Sequence, residues 1–297
     1  MEWFILAFVS ALFSAVSAVT EKKALFTLNA LEFSYLTSVT SLLFTVPFFF
    51  MIPELPGFSA GMMILLFKTM LGAGAFFCVM SAIKNLEISE ALPLLALSPA
   101  FVAVTGVIFI NDTLVPAEWA ALALMVAGTY ILELKNGNGG VWAPVKALFS
   151  FSKYKYILTA LLLFTVSSLL DRLLLKDYKL PPYTFMAFQQ FFYAIIFFVV
   201  VLSSGSNPVN PFAKIDKSIL KILLAIGIFT VIYRYTQIEA TKLAPVALVL
   251  SVKRLSVLMA VFGGGKIFKE KEVPQRVLAA MIILAGAIIL IVNGAAQ

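Results

Sequence analysis

Apolar residues run through this chain in blocks too long for the alternation of a surface strand or the half-apolar stripe of a soluble helix. Ten blocks reach the length that a membrane-crossing helix needs, with boundaries at roughly 2–20, 31–52, 61–83, 91–110, 116–134, 156–175, 183–203, 219–239, 244–264 and 274–293. Short polar connections separate them. Two connections are longer, "LKNGNGGVWAPVKALFSFSKYKY" and "SSGSNPVNPFAKIDKS", and both carry the Gly, Pro, Ser, Asn and Lys of surface loops. The pattern predicts an all-α, polytopic membrane protein with ten spans.

The pattern then repeats. "AVSAVTEK" at 15–22 aligns with "TVSSLLDR" at 165–172, so Glu21-Lys22 fall opposite Asp171-Arg172. "LVPAEWAALALMVAGTYIL" aligns with "EVPQRVLAAMIILAGAIIL", which pairs Pro116 with Pro274 and Gly128 with Gly286, while Asp112 falls opposite Glu270. Two matches in the same order predict a five-span repeat, residues 1–136 and 156–297, joined by a basic connection at 137–155. An odd number of spans sets the second copy upside down relative to the first. Inverted repeats of this kind house substrate sites near the membrane midplane in secondary transporters. A duplicated bundle with no transport role has the same sequence signature.

Composition narrows the chemistry. The chain is 62% hydrophobic and 12% charged, against ~25% charged in a typical soluble domain. It has no histidine and one cysteine, Cys78, which removes histidine proton relays, Ser-His and Cys-His catalysis, cysteine metal clusters and an internal disulfide. No cofactor is expected, and an enzyme is poorly supported. The net charge of +7 points to orientation rather than nucleic acid. Connections after odd-numbered spans hold fourteen Lys and Arg, from Lys22 to Arg276, and the opposite side holds four: Arg172, Lys176, Lys179 and Lys242. The positive-inside rule then places both termini outside. The first apolar run follows Glu2 with no basic residue before it, which reads as a retained span rather than a cleaved signal.

Against this background "VLSVKRLSVLMAV" at 249–261 stands out. Lys253 lies about 12 Å along a helix from Pro245, near mid-membrane. Each cation there costs ~2.5–3.5 kcal/mol on the insertion scale. The aligned stretch of the first copy carries Ser98-Pro99 instead, so the repeat does not require the pair. Lys supplies a point charge and Arg a planar fork, together an anion site. The alternative is an internal ion pair with Glu21, Asp171 or Glu239, which lie near helix ends with no obvious match in depth. Span 8, "TVIYRYTQIEATKLAP", places Thr230, Tyr233 and Gln237 on one face, with Arg234 about 100° round. Lys68 in span 3 is another intramembrane cation, near enough to an end to snorkel, and Gln189-Gln190 in span 7 could line a cavity. "GGGKIF" at 263–268 is no nucleotide-binding loop, because Ile follows the Lys and no strand precedes it.

The ten spans, the doubled unit, and Asp112 and Glu270 ahead of the "VP" segments resemble the EamA-type proteins of the drug/metabolite transporter superfamily. "YTQ…AP…SVKRLSVL" is also similar to the span 8–9 region of sugar-phosphate and nucleotide-sugar translocators. The resemblance implies ten helices around a central cavity and alternating access. In the translocators it implies that Lys253 and Arg254 hold an anion, with Tyr233 or Tyr235 beside it. The expected activity is secondary transport of a small organic anion or zwitterion, by exchange or proton coupling, with the lipid bilayer and the substrate as partners. A lipid-headgroup flippase and a non-transporting membrane subunit are the alternatives. Substrate identity, direction, coupling ion and oligomeric state are not readable from the sequence.

Overall fold

A computed structural model describes residues 2–25, 27–54, 56–57, 59–85, 97–133, 151–205, 210–213, 215–256, 259 and 273–295. Every regular element among them is helical: α1 Glu2–Ala24, α2 Ala30–Phe49, α3 Ala60–Asn85, α4 Ser98–Phe109, α5 Pro116–Glu133, α6 Phe151–Lys176, α7 Pro182–Ser203, α8 Lys217–Leu243, α9 Val246–Lys253 and α10 Val273–Ala295, plus a single turn at Asn210–Ala213. Each matches one of the ten apolar blocks. Among the described residues, four stretches are long and apolar enough by themselves to cross a membrane: Ala60–Ser81, Lys155–Lys176, Pro182–Ser203 and Lys217–Leu243. α2 has the length, but Ser34, Thr37, Ser38, Ser41 and Thr45 dilute its apolar content.

Local chemistry sets the helix starts. Asn29 accepts the Glu32 amide at 2.9 Å and Glu32 returns the bond to the Asn29 amide at 3.1 Å, a reciprocal cap on α2. Asp216 accepts the Ile219 amide at 2.7 Å at the head of α8. Pro116 and Pro182 occupy first-turn positions, where the missing amide costs nothing. α4 ends on Asn111 at φ 53, a left-handed position that Asn tolerates, and the amides of Ile110 and Asp112 both return to the Gly106 carbonyl.

The helices pack in reciprocal pairs. α1 lies on α8 and α3 on α6; α2 lies on α7, and α5 on α10. α1 also meets α9, as α6 meets α4; α2 also meets α8, as α7 meets α3. Side-chain hydroxyls stitch two of these seams. Ser10 of α1 donates to the Tyr233 carbonyl of α8 at 2.8 Å, and Ser167 of α6 donates to the Lys68 carbonyl of α3 at 3.2 Å. At the α5–α10 seam, a Cβ on Gly128 would meet the Ala279 carbonyl at 3.0 Å, and one on Gly286 would meet the Ala121 carbonyl at 2.8 Å. Only a residue without a side chain lets the two helices approach so closely. Outward positions such as Ile5, Leu43, Ile108, Phe198 and Ile288 stay apolar and exposed, a surface suited to lipid.

Two sequence expectations change. α6 already includes Phe151, inside the stretch read as connection, because "FSKYKY" is polar but helix-compatible ahead of the apolar run behind it. The ninth block is not one continuous helix. α9 stops at Lys253, Arg254 is a turn residue, and helical geometry resumes at 255–256. The Arg254 amide reaches back to the carbonyls of both Leu250 and Ser251, which tightens the last turn. Glu270 and the glycines at 263–265 lie outside the described residues.

Candidate functional site

A cavity of about 420 Å³ sits inside the bundle. Four cations line it, Lys68 from α3, Arg234 from α8, and Lys253 and Arg254 from the end of α9. Two carboxylates line it as well, Glu21 of α1 and Asp171 of α6. Its volume falls in the range of ~300–1,000 Å³ usual for small-molecule sites.

Asp171 organises one side. Its Oδ1 lies 2.6 Å from Lys68 Nζ and its Oδ2 accepts from Arg234 Nη2 at 2.7 Å. Lys68 is 1% exposed, so it does not snorkel: the carboxylate of α6 holds it inside. The Arg234 Nε donates to Gln189 Oε1 at 3.0 Å, which fixes the plane of the guanidinium. Phe185 covers the pair, with Lys68 Nζ 5.1 Å from the ring centroid.

The α9 cations are held differently. Lys253 Nζ donates to Gln237 Oε1 at 2.6 Å and lies 4.6 Å from the centroid of the Tyr233 ring. Arg254 Nη2 donates to Ser98 Oγ at 2.6 Å. Among the described residues the partners of Lys253 are neutral, an amide oxygen and a ring face.

Six of the eight residues singled out by sequence line this one cavity: Lys68, Tyr233, Arg234, Gln237, Lys253 and Arg254. Gln189 is fully buried and supports Arg234 from behind, while its neighbour Gln190 lines the cavity. Tyr235 points elsewhere. It donates to Glu239 Oε1 at 2.9 Å and packs against Phe48, with ring centroids 4.9 Å apart.

The depth argument against an internal acid fails. Asp171 and Glu21 both line the cavity, and the long Lys68 and Arg234 side chains span the offset along the helices to reach Asp171. The wall formed by Ser34, Thr37, Ser38 and Ser41 of α2 was also missed. Its signal was present in "FSYLTSVTS", hydroxyls at i, i+3, i+4 and i+7 in an apolar run.

Asp112 belongs to a second cluster. Arg172 Nη1 donates to the carbonyls of Thr241 at 2.6 Å and Lys242 at 3.1 Å, which satisfies orphan acceptors at the end of α8. Asp112 stands 3.5 Å from Arg172 Nε and 3.5 Å from Lys176 Nζ. The cluster ties the α4–α5 connection, α6 and the α8–α9 junction together.

Among solved structures, one described only as the crystal structure of a protein aligns with a TM-score of 0.76 at 16% identity, over 97% of this chain and 95% of its own, a likeness of fold. No curated protein matches the chain. The sequence matches the EamA-like transporter family over residues 1–134 and again over 152–292. The protein therefore belongs to the EamA-like transporter family, within the drug/metabolite transporter superfamily, as an integral multi-pass membrane protein that transports small molecules.

Proposed function

We propose that this protein is a secondary transporter of a small organic anion, or of a zwitterion with an anionic end, working by alternating access in a prokaryotic cell membrane. One observation carries the reading: the cavity gathers the cations Lys68, Arg234, Lys253 and Arg254, and among the described residues Lys253 makes its hydrogen bond to a neutral amide and lies over a ring face. Burying a cation against neutral partners is costly unless an anion arrives to compensate it. Lys253 and Arg254 grip the anionic group, and Tyr233, Gln237 and Arg234 flank it. Translocation by exchange or by proton coupling is compatible with this site.

The inverted five-helix repeat is part of the same proposal. The reciprocal packing of α1 on α8 and α3 on α6 supports it, as does the mirrored contact of Gly128 with Ala279 and Gly286 with Ala121. Related halves give a pathway that opens to one side and then the other by rocking about a shared seam.

The test is a thermal-shift screen of the purified protein against carboxylates, sugar phosphates, nucleotides and amino acids. Wild type is compared with Lys253→Ala and Arg254→Ala. A ligand of the native state raises apparent stability by mass action. The reading predicts an anion that stabilises wild type and neither variant. It is wrong if both variants fold and respond to the same ligands as wild type.

A further inference from the structure

The charged wall accounts for one end of a ligand and leaves the α2 wall without a role. α9 packs mainly against α1, α4 and α5 and more lightly on α6 and α8, whereas α2 packs against α7, α8 and α3. On α2 the stripe Ser34, Thr37, Ser38 and Ser41 lines the cavity. A hydroxyl on a helix in apolar surroundings ordinarily donates to a carbonyl three or four residues back. Ser34 does so to Ala30 at 2.7 Å, Ser38 to Tyr35 at 2.7 Å, and Thr45, further along the helix, to Ser41 at 2.7 Å. Thr37 Oγ1 and Ser41 Oγ do not: both are buried and have no hydrogen-bond partner. The two are one helical turn apart on the cavity face. Gln190 of α7, also buried, lines the same cavity.

A buried hydroxyl without a partner is destabilising, and folding ordinarily removes such groups. Two of them one turn apart, on residues that line the cavity, mark a place where a partner is supplied from outside the protein. A hydroxyl offers a donor and acceptor sites together, so it pairs with a ligand hydroxyl in either direction. Resting on the reading of the cavity as an anion site, we infer that Thr37 and Ser41 form a second subsite that takes the hydroxyl groups of the ligand. The substrate class is then a hydroxylated organic anion, with its charge at Lys253 and Arg254 and its hydroxyl-bearing body against α2. A purely aliphatic anion satisfies the first wall and leaves the second unpaired, the kind of mismatch by which a polar site rejects an analogue.

The experiment measures thermal shifts and affinities for gluconate, threonate and butyrate, carboxylates of equal charge and decreasing hydroxyl content. Wild type is compared with Thr37→Val/Ser41→Ala and with Lys253→Ala. The two α2 replacements are small and preserve shape, so the folded protein remains available for measurement. Wild type is expected to rank gluconate above threonate above butyrate. The α2 variant is expected to lose about tenfold in gluconate affinity, the scale of one or two hydrogen bonds, and nothing for butyrate. Equal losses for gluconate and butyrate, or no loss for either, overturn the subsite and leave the anion site standing. Carboxylate binding that Lys253→Ala leaves intact overturns the anion site, and the inference with it.

Discussion

Asp171 and Asp112 are both buried aspartates of this bundle, each facing two cations, and they are built in opposite ways. Asp171 meets Lys68 at 2.6 Å and Arg234 at 2.7 Å, and all three side chains are 15% exposed or less. Asp112 meets Arg172 and Lys176 at 3.5 Å each, and Lys176 is 39% exposed. The first is a closed triad in which every charge depends on the others. The second is a loose contact whose main cation already has better partners, the carbonyls at the end of α8. A cavity wall must hold its charges in place while substrates pass. A contact among three chain segments at the end of the bundle must be able to part if the pathway is to open there. Bond length and exposure separate the two tasks.

The comparison breaks most visibly at Asp171. Asp171→Asn removes the carboxylate that contacts both Lys68 and Arg234 inside the protein. Removing one partner of a buried pair costs about 3–5 kcal/mol. Chemical unfolding in detergent is expected to show a loss of that order. Lys68→Met is expected to cost less, because Arg234 still holds Asp171. Adding Lys68→Met to Asp171→Asn is expected to recover part of the loss. If Asp171→Asn unfolds at the wild-type midpoint, the triad is not what holds α3, α6 and α8 around the cavity.

How far the triad could be read from sequence follows from what its residues look like in a row. Lys68, Lys253 and Arg234 are conspicuous because each interrupts an apolar run. Asp171 is not, because it sits beside Arg172 near the end of its block, where an acid-base pair reads as an ordinary helix end. The side chains of Asp171 and Arg172 leave the helix about 100° apart, one into the cavity and one toward α8, and adjacency in sequence hides that. The ten helices were legible because apolar length is a cumulative signal. The break at Lys253 was not, since "LSVLMAVF" continues the apolar run past it. The α2 stripe was legible by its period, but hydroxyls that pair with their own helix are silent in packing. Which two lack such a bond is settled by rotamers rather than composition.

Arg172→Ala is the intermediate case. It removes the donors that close the C-terminal carbonyls of α8 at Thr241 and Lys242. Hydrogen bonds to a charged group contribute ~1.5–3 kcal/mol, so a loss of about 2 kcal/mol is expected. The effect is local. Hydrogen exchange is expected to quicken around Ala244, whose amide closes the last turn on Ala240, and to stay unchanged in the α5–α10 seam. Uniform acceleration across the protein would show that Arg172 supports the whole bundle and is no different in kind from Arg234.

Asp112→Asn should have the smallest effect. The replacement keeps the shape and an acceptor oxygen, and Arg172 keeps both α8 carbonyls. Its second cation is partly solvated, and contacts of that kind contribute at most about 1 kcal/mol. Unfolding is therefore expected to shift by less than that. Salt sharpens the point, because exposed charges are screened where buried ones are not. Raising the ionic strength should bring wild type toward Asp112→Asn while leaving the gap to Asp171→Asn open. A cost at Asp112 equal to that at Asp171, and insensitive to salt, would mean that 3.5 Å and partial exposure do not make a contact loose in this protein. The distinction between a fixed cavity wall and a separable end would then fail.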